Sequence, residues 1–332
     1  MHSQPNSESL FHCDKETLSL RANHERCMLV SICIPAYKEP AFLERSLQSI
    51  SQQDYANIEV IISDDTPDDS VKQVAEKYGS LLNLRYFHNR PSLGTPANWN
   101  AVLDKAEGEL MMLLHHDDWL NSSQSISNAV SVFKDNPAAS IVFERAVTAD
   151  RSPEYVKPNL PDDYYEQFYK SPLKLLLKNV IGPPSNTIMR SKIKQRYALG
   201  YKWLVDIEFY IRLLLAGERF VYTDIPIVSV GIHQGQMSNF CQEDGEIILK
   251  ENILFAQEHL QSKVESEVYN HYWRMLRNNG IRSLNDLEKL GFVANEIPAF
   301  ILQIVKTQSF FPKKFLRGAL SRMLMFLAYW FK

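Results

Sequence analysis

An apolar run that ends in two adjacent acids places the strongest constraint on how this chain folds. Residues 111–114 are all apolar, which is the pattern of a short strand covered on both faces. Two histidines follow, and then Asp117 and Asp118. Open α/β sheets bind their ligands beyond the carboxyl ends of the strands. Because adjacent carboxylates repel each other, the stretch predicts either a divalent-cation site or an acidic cap on the next segment.

Two earlier segments have the same form. Residues 29–34 are a nearly continuous apolar run that ends at Pro35. Residues 59–62 (Glu-Val-Ile-Ile) predict the next buried strand, which is followed by Ser63 and the acids Asp64 and Asp65. A helical pattern separates the two runs, which predicts parallel strands joined by a right-handed crossover. The strands would then deliver polar groups to one edge of one sheet.

The composition narrows the classes of function. Of the 332 residues, 45% are hydrophobic and 23% are charged, and the formal net charge is −3. These values are ordinary for a globular protein and allow one large domain plus an appendage. With no excess of positive charge, the chain gives no indication of binding nucleic acid.

Cysteine usage and the first residues bear on the compartment. Four scattered cysteines show no pair at metal-ligand spacing, which predicts reduced thiols. The first residues are polar and do not resemble an export signal, so we expect a cytoplasmic location. Residues 1–28 lack clear periodicity and predict a loosely held extension.

Two common nucleotide-binding signatures are absent from the sequence. No Gly-x-Gly-x-x-Gly follows the first predicted strand, and no glycine-rich loop ends in Gly-Lys-Ser/Thr. This argues against a dinucleotide-dependent dehydrogenase and against a P-loop NTPase. A sheet that binds a nucleotide through aromatic and acidic side chains remains.

Three ordered motifs resemble those of the inverting family-two glycosyltransferases with a GT-A fold. They lie at residues 30–40, 60–69 and 115–119, and the resemblance extends over about residues 28–240. It implies an α/β fold with a mixed, mostly parallel sheet flanked by helices. The predicted divisions are an N-terminal extension at 1–28, a GT-A domain at 29–240 and a helical region at 241–332 with an amphipathic terminal helix.

The resemblance also implies a nucleoside-diphosphate sugar donor and a Mg²⁺ or Mn²⁺ ion. Tyr37 would stack on the nucleobase, and Asp65 would accept a hydrogen bond from it. Asp118 corresponds to the direct metal ligand, with Asp117 beside it as a second metal-binding residue. The other residues that the resemblance assigns to donor binding are Pro35, Glu39, Asn98, Asp117 and His233.

The histidines raise separate questions. His115 stands where the family has the first acid of its Asp-x-Asp signature, so this position is expected to bind the metal less well or not at all. We interpret His116 as structural. His233 resembles a residue of a late loop that folds over the diphosphate, although a solvated loop histidine is the simpler alternative.

A helix that starts near Asp206 carries the candidate catalytic base. An acid at a helix start is commonly only a cap. The family has an acidic pair before a helix that carries an arginine, and its second acid is the base. Counting back from Arg212 places that base at Asp206, with Glu208 as the alternative and Val205 in place of the first acid.

Two other segments would shape the acceptor side. Residues 182–186 form a proline-rich turn that, by resemblance, faces the sugar and acceptor, and that is otherwise a plain connector. Residues 150–163 are rich in Pro, Asp and Tyr and are expected to line a cleft.

The terminal segment combines aromatic and basic side chains. Residues 310–332 contain Phe, Trp, Lys and Arg, and their apolar part is too short for the ~20 residues that span a bilayer. This pattern favours a helix lying on an anionic membrane surface. The alternative is a helix packed on the protein or on a second copy in a homo-oligomer.

Together these features predict a metal-dependent inverting glycosyltransferase. It would transfer a sugar to a hydroxyl of a glycan or lipid-linked acceptor in assembly of O-antigen or capsule, at the cytoplasmic face of the inner membrane. The competing interpretations are an inactive carbohydrate-binding or scaffolding protein on the same fold and a hydrolase of nucleotide sugars.

Overall fold

A computed structural model describes residues 27–144, 147–148, 162–260 and 264–330. Nearly all of the predicted N-terminal extension and most of the 150–163 segment lie outside these residues.

A seven-stranded sheet forms the centre of the molecule. Its strands are β1 (Val30–Ala36), β2 (Ile58–Asp64), β3 (Leu84–His88), β4 (Leu110–Leu113), β6 (Ile141–Glu144), β8 (Thr187–Arg190) and β9 (Phe220–Thr223). They lie in the order β3-β2-β1-β4-β8-β6-β9. The first four strands in this order run parallel to one another, β8 is antiparallel to both of its neighbours, and β6 is parallel to β9. The sheet is therefore mixed and mostly parallel, as predicted.

A second, three-stranded sheet lies next to the acidic pair. It consists of β5 (Trp119–Leu120), β7 (Val147–Thr148) and β10 (Val228–Val230), with β10 in the middle. Leu120 pairs with Val228 and Trp119 pairs with Ser229 in antiparallel register. This pairing brings the residues just before β5 close to those just after β10, which are far apart in sequence.

Helices cover the sheet and form the C-terminal region. They are α1 (Pro40–Ser51), α2 (Ser70–Tyr78), α3 (Ala97–Leu103), α4 (Ser125–Asp135), α5 (Asp162–Lys170), α6 (Val205–Leu215), α7 (Met237–Glu243), α8 (Gly245–His259), α9 (Ser266–Asn278), α10 (Leu284–Lys289), α11 (Ala299–Ser309) and α12 (Gly318–Trp330). Short 3₁₀ turns occur at Pro172–Leu176, Pro184–Asn186, Ala294–Glu296 and Lys313–Leu316.

The central strands are mostly apolar because both of their faces are covered. All seven residues of β1 are buried. Side chains alternate between the faces of a strand, so Ile32 and Ile34 pack in one hydrophobic cluster and Cys33 in the other. On one face, α1 contributes Leu43 and Leu47 at helical spacing to the same cluster as Ile32.

The C-terminal helices share a hydrophobic core with the other face of the sheet. Met111 of β4 and Phe143 of β6 belong to the same cluster as Trp273 of α9, Ile304 of α11 and Leu324 of α12. The predicted helical C-terminal region is thus present, while the boundary at residue 240 stays a prediction. Within the described ranges, no helix combines the length and apolarity needed to cross a bilayer.

Candidate active site

The carboxyl ends of β1, β2 and β4 bring the predicted site residues to one edge of the sheet. Ala36 is opposite Asp64 in the register of β1 and β2. The backbone N–H of Asp65 then donates to the carbonyl of Ala36 at 2.9 Å. On the other side of β1, the N–H of Leu114 donates to Cys33 at 2.9 Å. The residues that follow all three strands therefore meet at this edge.

Asp65 anchors the loop that follows β3. Its Oδ1 accepts hydrogen bonds from the side chain of Asn89 at 2.9 Å and from the N–H of Leu93 at 3.0 Å. Its Oδ2 accepts from the N–H of Gly94 at 2.8 Å, and the residue is only 5% exposed. The carboxylate that the sequence assigns to the nucleobase thus holds the loop beside it, and contact with a base remains a prediction.

Two other predicted donor-binding residues are buried within this edge. The amide of Asn98 donates to the carbonyls of Ser63 at 3.0 Å and Ala36 at 3.4 Å, which ties the ends of β1 and β2 together. Pro35 lies in β1 opposite Ser63 and is buried. Asn98 therefore shapes this edge of the sheet by holding the ends of the two strands, and Pro35 is a buried part of one of them.

Tyr37 and Glu39 lie in the tight turn between β1 and α1. Lys38 and Glu39 have φ angles of 58° and 47°, in the left-handed region that non-glycine residues seldom occupy. The N–H of Lys38 donates to the hydroxyl of Thr66 at 2.7 Å and holds the turn against the end of β2. The Tyr37 side chain is half exposed, and Nζ of Lys38 lies 4.9 Å from the centre of its ring. Stacking of this ring on a nucleobase stays a prediction.

Asp118 is a buried acid at the centre of the site. Its Oδ1 accepts a hydrogen bond from the N–H of Gly231 at 2.9 Å, and its Oδ2 lies 4.0 Å from Nδ1 of His115. Burial and the neighbouring charge of Asp117 raise the pKa of Asp118 to about 7, against the opposing effect of a hydrogen bond with Ser185. A cation at this point would relieve the repulsion that raises this pKa.

Asp117 pairs with the loop histidine identified from sequence. Its Oδ2 lies 2.9 Å from Nε2 of His233, whose ring packs against Phe42 with centroids 4.8 Å apart. Burial alone would raise the pKa of Asp117, but the adjacent His115 and His116 and the hydrogen bond with His233 bring this pKa below its ordinary value. The structure therefore brings His233 to the acidic pair.

His115 joins the two acids in an arrangement that fits a divalent ion. Ligand atoms of His115, Asp117 and Asp118 all lie within 4.8 Å of one another. Burial lowers the pKa of His115, which favours the neutral imidazole that a metal requires, and its buried Nε2 has no hydrogen-bond partner among the described residues. Carboxylate oxygens suit Mg²⁺ and Mn²⁺, and an added imidazole suits Mn²⁺ better than Mg²⁺. The residue that replaces the usual acid thus still offers a metal-binding atom.

His116 is placed differently from its neighbour. Its ring lies 6.2 Å from that of Phe42, and it is not part of the metal-binding group. Burial lowers its pKa. This position agrees with the interpretation of His116 as a structural residue.

Arg45 of α1 supports the acidic pair, and no sequence pattern pointed to it. Its Nη2 donates to the backbone carbonyl of Asp117 at 2.7 Å, and its guanidinium lies 3.6 Å from the centre of the Trp119 ring. These contacts hold the start of β5 against α1. The hydrogen bond joins residues that are 72 positions apart in sequence, so only the folded chain shows it.

Gly231 is required by the close approach of two backbone segments. A Cβ atom at this position would collide with the carbonyl oxygen of Asp117. We expect Gly231→Ala to lower the free energy of unfolding by about 1–3 kcal/mol and to weaken nucleotide binding, because the Asp117 segment must move. Chemical denaturation and nucleotide titration measure the two effects. Gly245→Ala is the control, since a Cβ there meets nothing within 4 Å. Equal stability of the two variants would contradict this expectation.

Asp206 lies in the first turn of α6 and is held by Asn179. Its Oδ2 accepts a hydrogen bond from the amide of Asn179 at 2.9 Å. The Oδ1 of Asn179 accepts from the N–H groups of Ile181 at 3.1 Å and Gly182 at 2.9 Å. Asn179 thus links the candidate base to the turn at residues 182–186. Its role was not apparent from the sequence.

Glu208, the alternative base, has a different environment. It is 2% exposed, and its carboxylate oxygens accept hydrogen bonds from Arg212 at 2.7 Å and 3.0 Å. Nε2 of His259 lies 3.4 Å from the same carboxylate. These partners lower the pKa of Glu208 against the effect of burial, which raises it. Glu208 therefore joins α6 to α8 and is not free to bind a substrate.

Two series of contacts connect the surroundings of Asp206 with the metal-binding group. In the 3₁₀ turn Pro184–Asn186, the hydroxyl of Ser185 accepts a hydrogen bond from the N–H of His115 at 3.0 Å. In the second series, the ring of Trp99 lies between two others. Its centroid is 5.2 Å from that of Tyr197 and 4.8 Å from that of His115. The candidate base and the candidate metal ligands therefore belong to one connected structure.

Comparison with known proteins places the chain in a family. The sequence profile of glycosyl transferase family 2 matches residues 31–197, which is half of the chain. The chain belongs to glycosyl transferase family 2. Its predicted membership of this family and its predicted class, a glycosyltransferase, are confirmed.

Relatives of this glycosyltransferase include two bacterial sugar transferases. It is 32% identical over 97 residues to the poly(ribitol-phosphate) beta-N-acetylglucosaminyltransferase TarS of Staphylococcus aureus, covering 28% of this chain and 17% of TarS. It is 34% identical over 95 residues to the GalNAc(5)-diNAcBac-PP-undecaprenol beta-1,3-glucosyltransferase of Campylobacter jejuni, covering 28% of this chain and 31% of that enzyme. The matches thus span less than a third of either relative.

Solved structures show the same fold. TarS residues 1–349 with UDP-GlcNAc superpose with a TM-score of 0.59 at 20% identity, covering 91% of this chain and 89% of that one. The mannosyltransferase PcManGT of Pyrobaculum calidifontis with GDP-Man and Mn²⁺ gives a TM-score of 0.53 at 15% identity, covering 87% and 88%. The predicted GT-A fold of this glycosyltransferase is confirmed.

Proposed function

We propose that this glycosyltransferase moves a sugar from a nucleoside-diphosphate donor to a hydroxyl of a glycan or lipid-linked acceptor, with inversion at the anomeric carbon. The observation that carries the proposal is the grouping of His115, Asp117 and Asp118 at the sheet edge that also presents Tyr37. TarS bound to UDP-GlcNAc and a Campylobacter relative named for a diphospho-undecaprenol substrate support the donor and acceptor classes. Assembly of O-antigen or capsule is the setting that we propose.

Donor binding is assigned to the edge formed by β1, β2 and β4. The exposed ring of Tyr37 stacks on the nucleobase, and the loop held by Asp65 lies beside it. Asp118 and Asp117, with His115 as a third ligand, would hold a Mg²⁺ or Mn²⁺ ion, which would supply positive charge for a departing diphosphate. His233, hydrogen-bonded to Asp117, holds the loop after β10 next to the same phosphates.

Asp206 is assigned the role of general base. As the acceptor oxygen forms its bond to the anomeric carbon, the bond from that carbon to the diphosphate oxygen breaks, and Asp206 takes the proton of the acceptor hydroxyl. One displacement inverts the configuration and needs no covalent intermediate on the enzyme. Asn179 orients the carboxylate at 2.9 Å, and the engagement of Glu208 by Arg212 favours Asp206 over that alternative.

The C-terminal helix is assigned to a membrane surface. Buried residues of α12, such as Leu324 and Met325, pack inward. Its outer side exposes a second apolar set, and basic residues lie near it, an arrangement suited to an anionic lipid surface. We therefore assign transfer chemistry to residues 29–240, and docking at the cytoplasmic face of the inner membrane to residues 310–332 of the helical region 241–332. The exposed set of α12 is Leu320, Met323, Phe326, Leu327 and Trp330, and the exposed Phe310 and Phe315 precede this helix.

Thermal unfolding with a panel of nucleotides tests the proposal. UDP, GDP, dTDP and CDP are each added with and without Mn²⁺, since a ligand that binds the native state raises its stability. We expect one diphosphate to stabilise the protein strongly only when the metal is present. Assays of sugar-nucleotide turnover with and without a glycan acceptor then separate transfer from hydrolysis. If no nucleotide stabilises the protein, the inactive carbohydrate-binding alternative is favoured.

A further inference from the structure

A basic cavity lies in the C-terminal helical region, well apart in sequence from the transfer site. It has a volume of about 520 Å³ and is bounded by the ends of α9 and α11 and the start of α12. We call it the basic cavity because four cationic side chains line it: Arg277, Arg282, Lys313 and Arg317. Its lining contains no acid.

Two of the cations are held in place by neutral acceptors. Arg277 donates to the carbonyl of Leu316 at 3.1 Å and to the hydroxyl of Ser321 at 3.2 Å. Arg282 donates to the carbonyls of Gln308 at 2.5 Å and Phe311. These bonds fix the guanidinium groups without neutralising them. The cavity is therefore preorganised for an anion.

The positive charges are also close to one another. No ion pair joins any of the four cations to a carboxylate in the described part of the chain. Burial and the nearby charges of Arg274 and Arg317 lower the pKa of Arg277. The first turn of α12 begins at Gly318 in the cavity wall, where the positive end of the helix dipole adds to these charges. An anion of more than one charge would relieve this repulsion.

An exposed apolar surface continues from the cavity. Gly318 lines the basic cavity and also a shallow groove on the outer side of α12, whose other lining residues are Ala319, Arg322, Met323 and Phe326. An anionic group in the cavity and an apolar chain in this groove could therefore belong to one molecule. Soluble anions would use only the first of these two features.

We propose that the basic cavity binds the phosphate group of a membrane lipid while the lipid chain lies along the outer side of α12. Arginine forks match phosphate oxygens in pairs, and the number of cations suits a phosphomonoester or diphosphate. The proposal rests on the membrane docking proposed above but not on the transfer chemistry. An anionic surface attracts basic residues in general. The proposed site would in addition distinguish phosphate from other anionic groups.

The test compares two pairs of substitutions in the whole 332-residue chain. Lys313→Gln with Arg317→Gln removes two cavity charges whose side chains make no hydrogen bond in the described part of the chain. Lys306→Gln with Lys314→Gln removes two exposed charges of the same helical region that line neither the cavity nor the groove. General attraction to an anionic surface falls about fivefold for each charge removed, equally in both pairs. Sedimentation with phosphatidylcholine vesicles that contain phosphatidic acid measures the affinity.

We expect the cavity pair to lose at least about tenfold more affinity than the surface pair. The wild-type protein should also prefer phosphatidic acid to oleic acid in vesicles of equal surface charge. Equal losses in the two pairs, or no preference between the lipids, would overturn the site while leaving general docking intact. If inorganic pyrophosphate raises the Tm of the wild type but not of the cavity pair, and vesicles are not bound, the lipid source is wrong. Nucleotide binding, measured on the same samples, reports separately on the transfer proposal.

Discussion

Asp206→Asn is expected to lower turnover by about 10²–10⁴-fold while donor binding is unchanged. The amide cannot take the proton of the acceptor hydroxyl. It has nearly the shape of the carboxyl group, and its oxygen can still accept the hydrogen bond from Asn179. Turnover is measured as release of nucleoside diphosphate in the presence of acceptor. Donor binding is measured by thermal stabilisation of the same preparation.

Glu208→Gln is the matched control for this experiment, because it changes an acid two positions along the same helix. Its carboxylate is buried against Arg212 and His259. The variant is therefore expected to lose about 1–3 kcal/mol of stability, and the folded protein should retain most of its turnover. Near-normal turnover in Asp206→Asn would reject Asp206 as the base. Loss of turnover in a stable Glu208→Gln protein would reinstate the alternative.

Asp118→Asn is expected to lower turnover by about 10²–10³-fold and to remove the part of nucleotide stabilisation that depends on Mn²⁺. The substitution removes the anionic charge at the centre of the proposed metal site. The amide oxygen can still accept the hydrogen bond from Gly231, so the loop after β10 keeps its anchor. Titration of Mn²⁺ followed by its paramagnetic resonance signal measures metal binding directly, without reference to activity.

Two further variants are needed to interpret the result for Asp118→Asn. Asp104→Asn removes an exposed acid that pairs with Arg196 and does not belong to the metal-binding group, so it should change neither metal binding nor turnover. His115→Ala should weaken Mn²⁺ more than Mg²⁺, because imidazole is a better ligand for Mn²⁺. If Asp118→Asn binds Mn²⁺ like the wild type, the metal lies elsewhere and the proposed mechanism fails.

The fold was largely predictable from local patterns. A parallel strand covered on both faces needs an almost continuous apolar run, and β1, β2 and β4 each show one. Acids directly after such runs must lie at the carboxyl edge of the sheet. The positions of Asp65, Asp117 and Asp118 were therefore open to prediction, whereas the bonds that Asp65 makes to its own loop were not.

The supports of the site were not predictable, because they join distant parts of the chain. Arg45 contacts the carbonyl of Asp117 across 72 positions, and Gly231 donates to Asp118 across 113. Asn179 and Ser185 lie in irregular turns, where no periodic pattern marks a side chain that will face the site. The contacts of Arg45 and Gly231 also depend on the pairing of β5 with β10, which no local preference encodes.

The sequence by itself determined the sheet, the family and the adjacent acids, since these follow from burial patterns and from residues that are neighbours in the chain. Only the tertiary structure decided that His115 joins the metal-binding group, that Glu208 is bound to Arg212, and that four scattered cations line one cavity. The physical reason is that local apolar periodicity specifies which faces are buried. The partners of a polar side chain are set by which distant segments pack together.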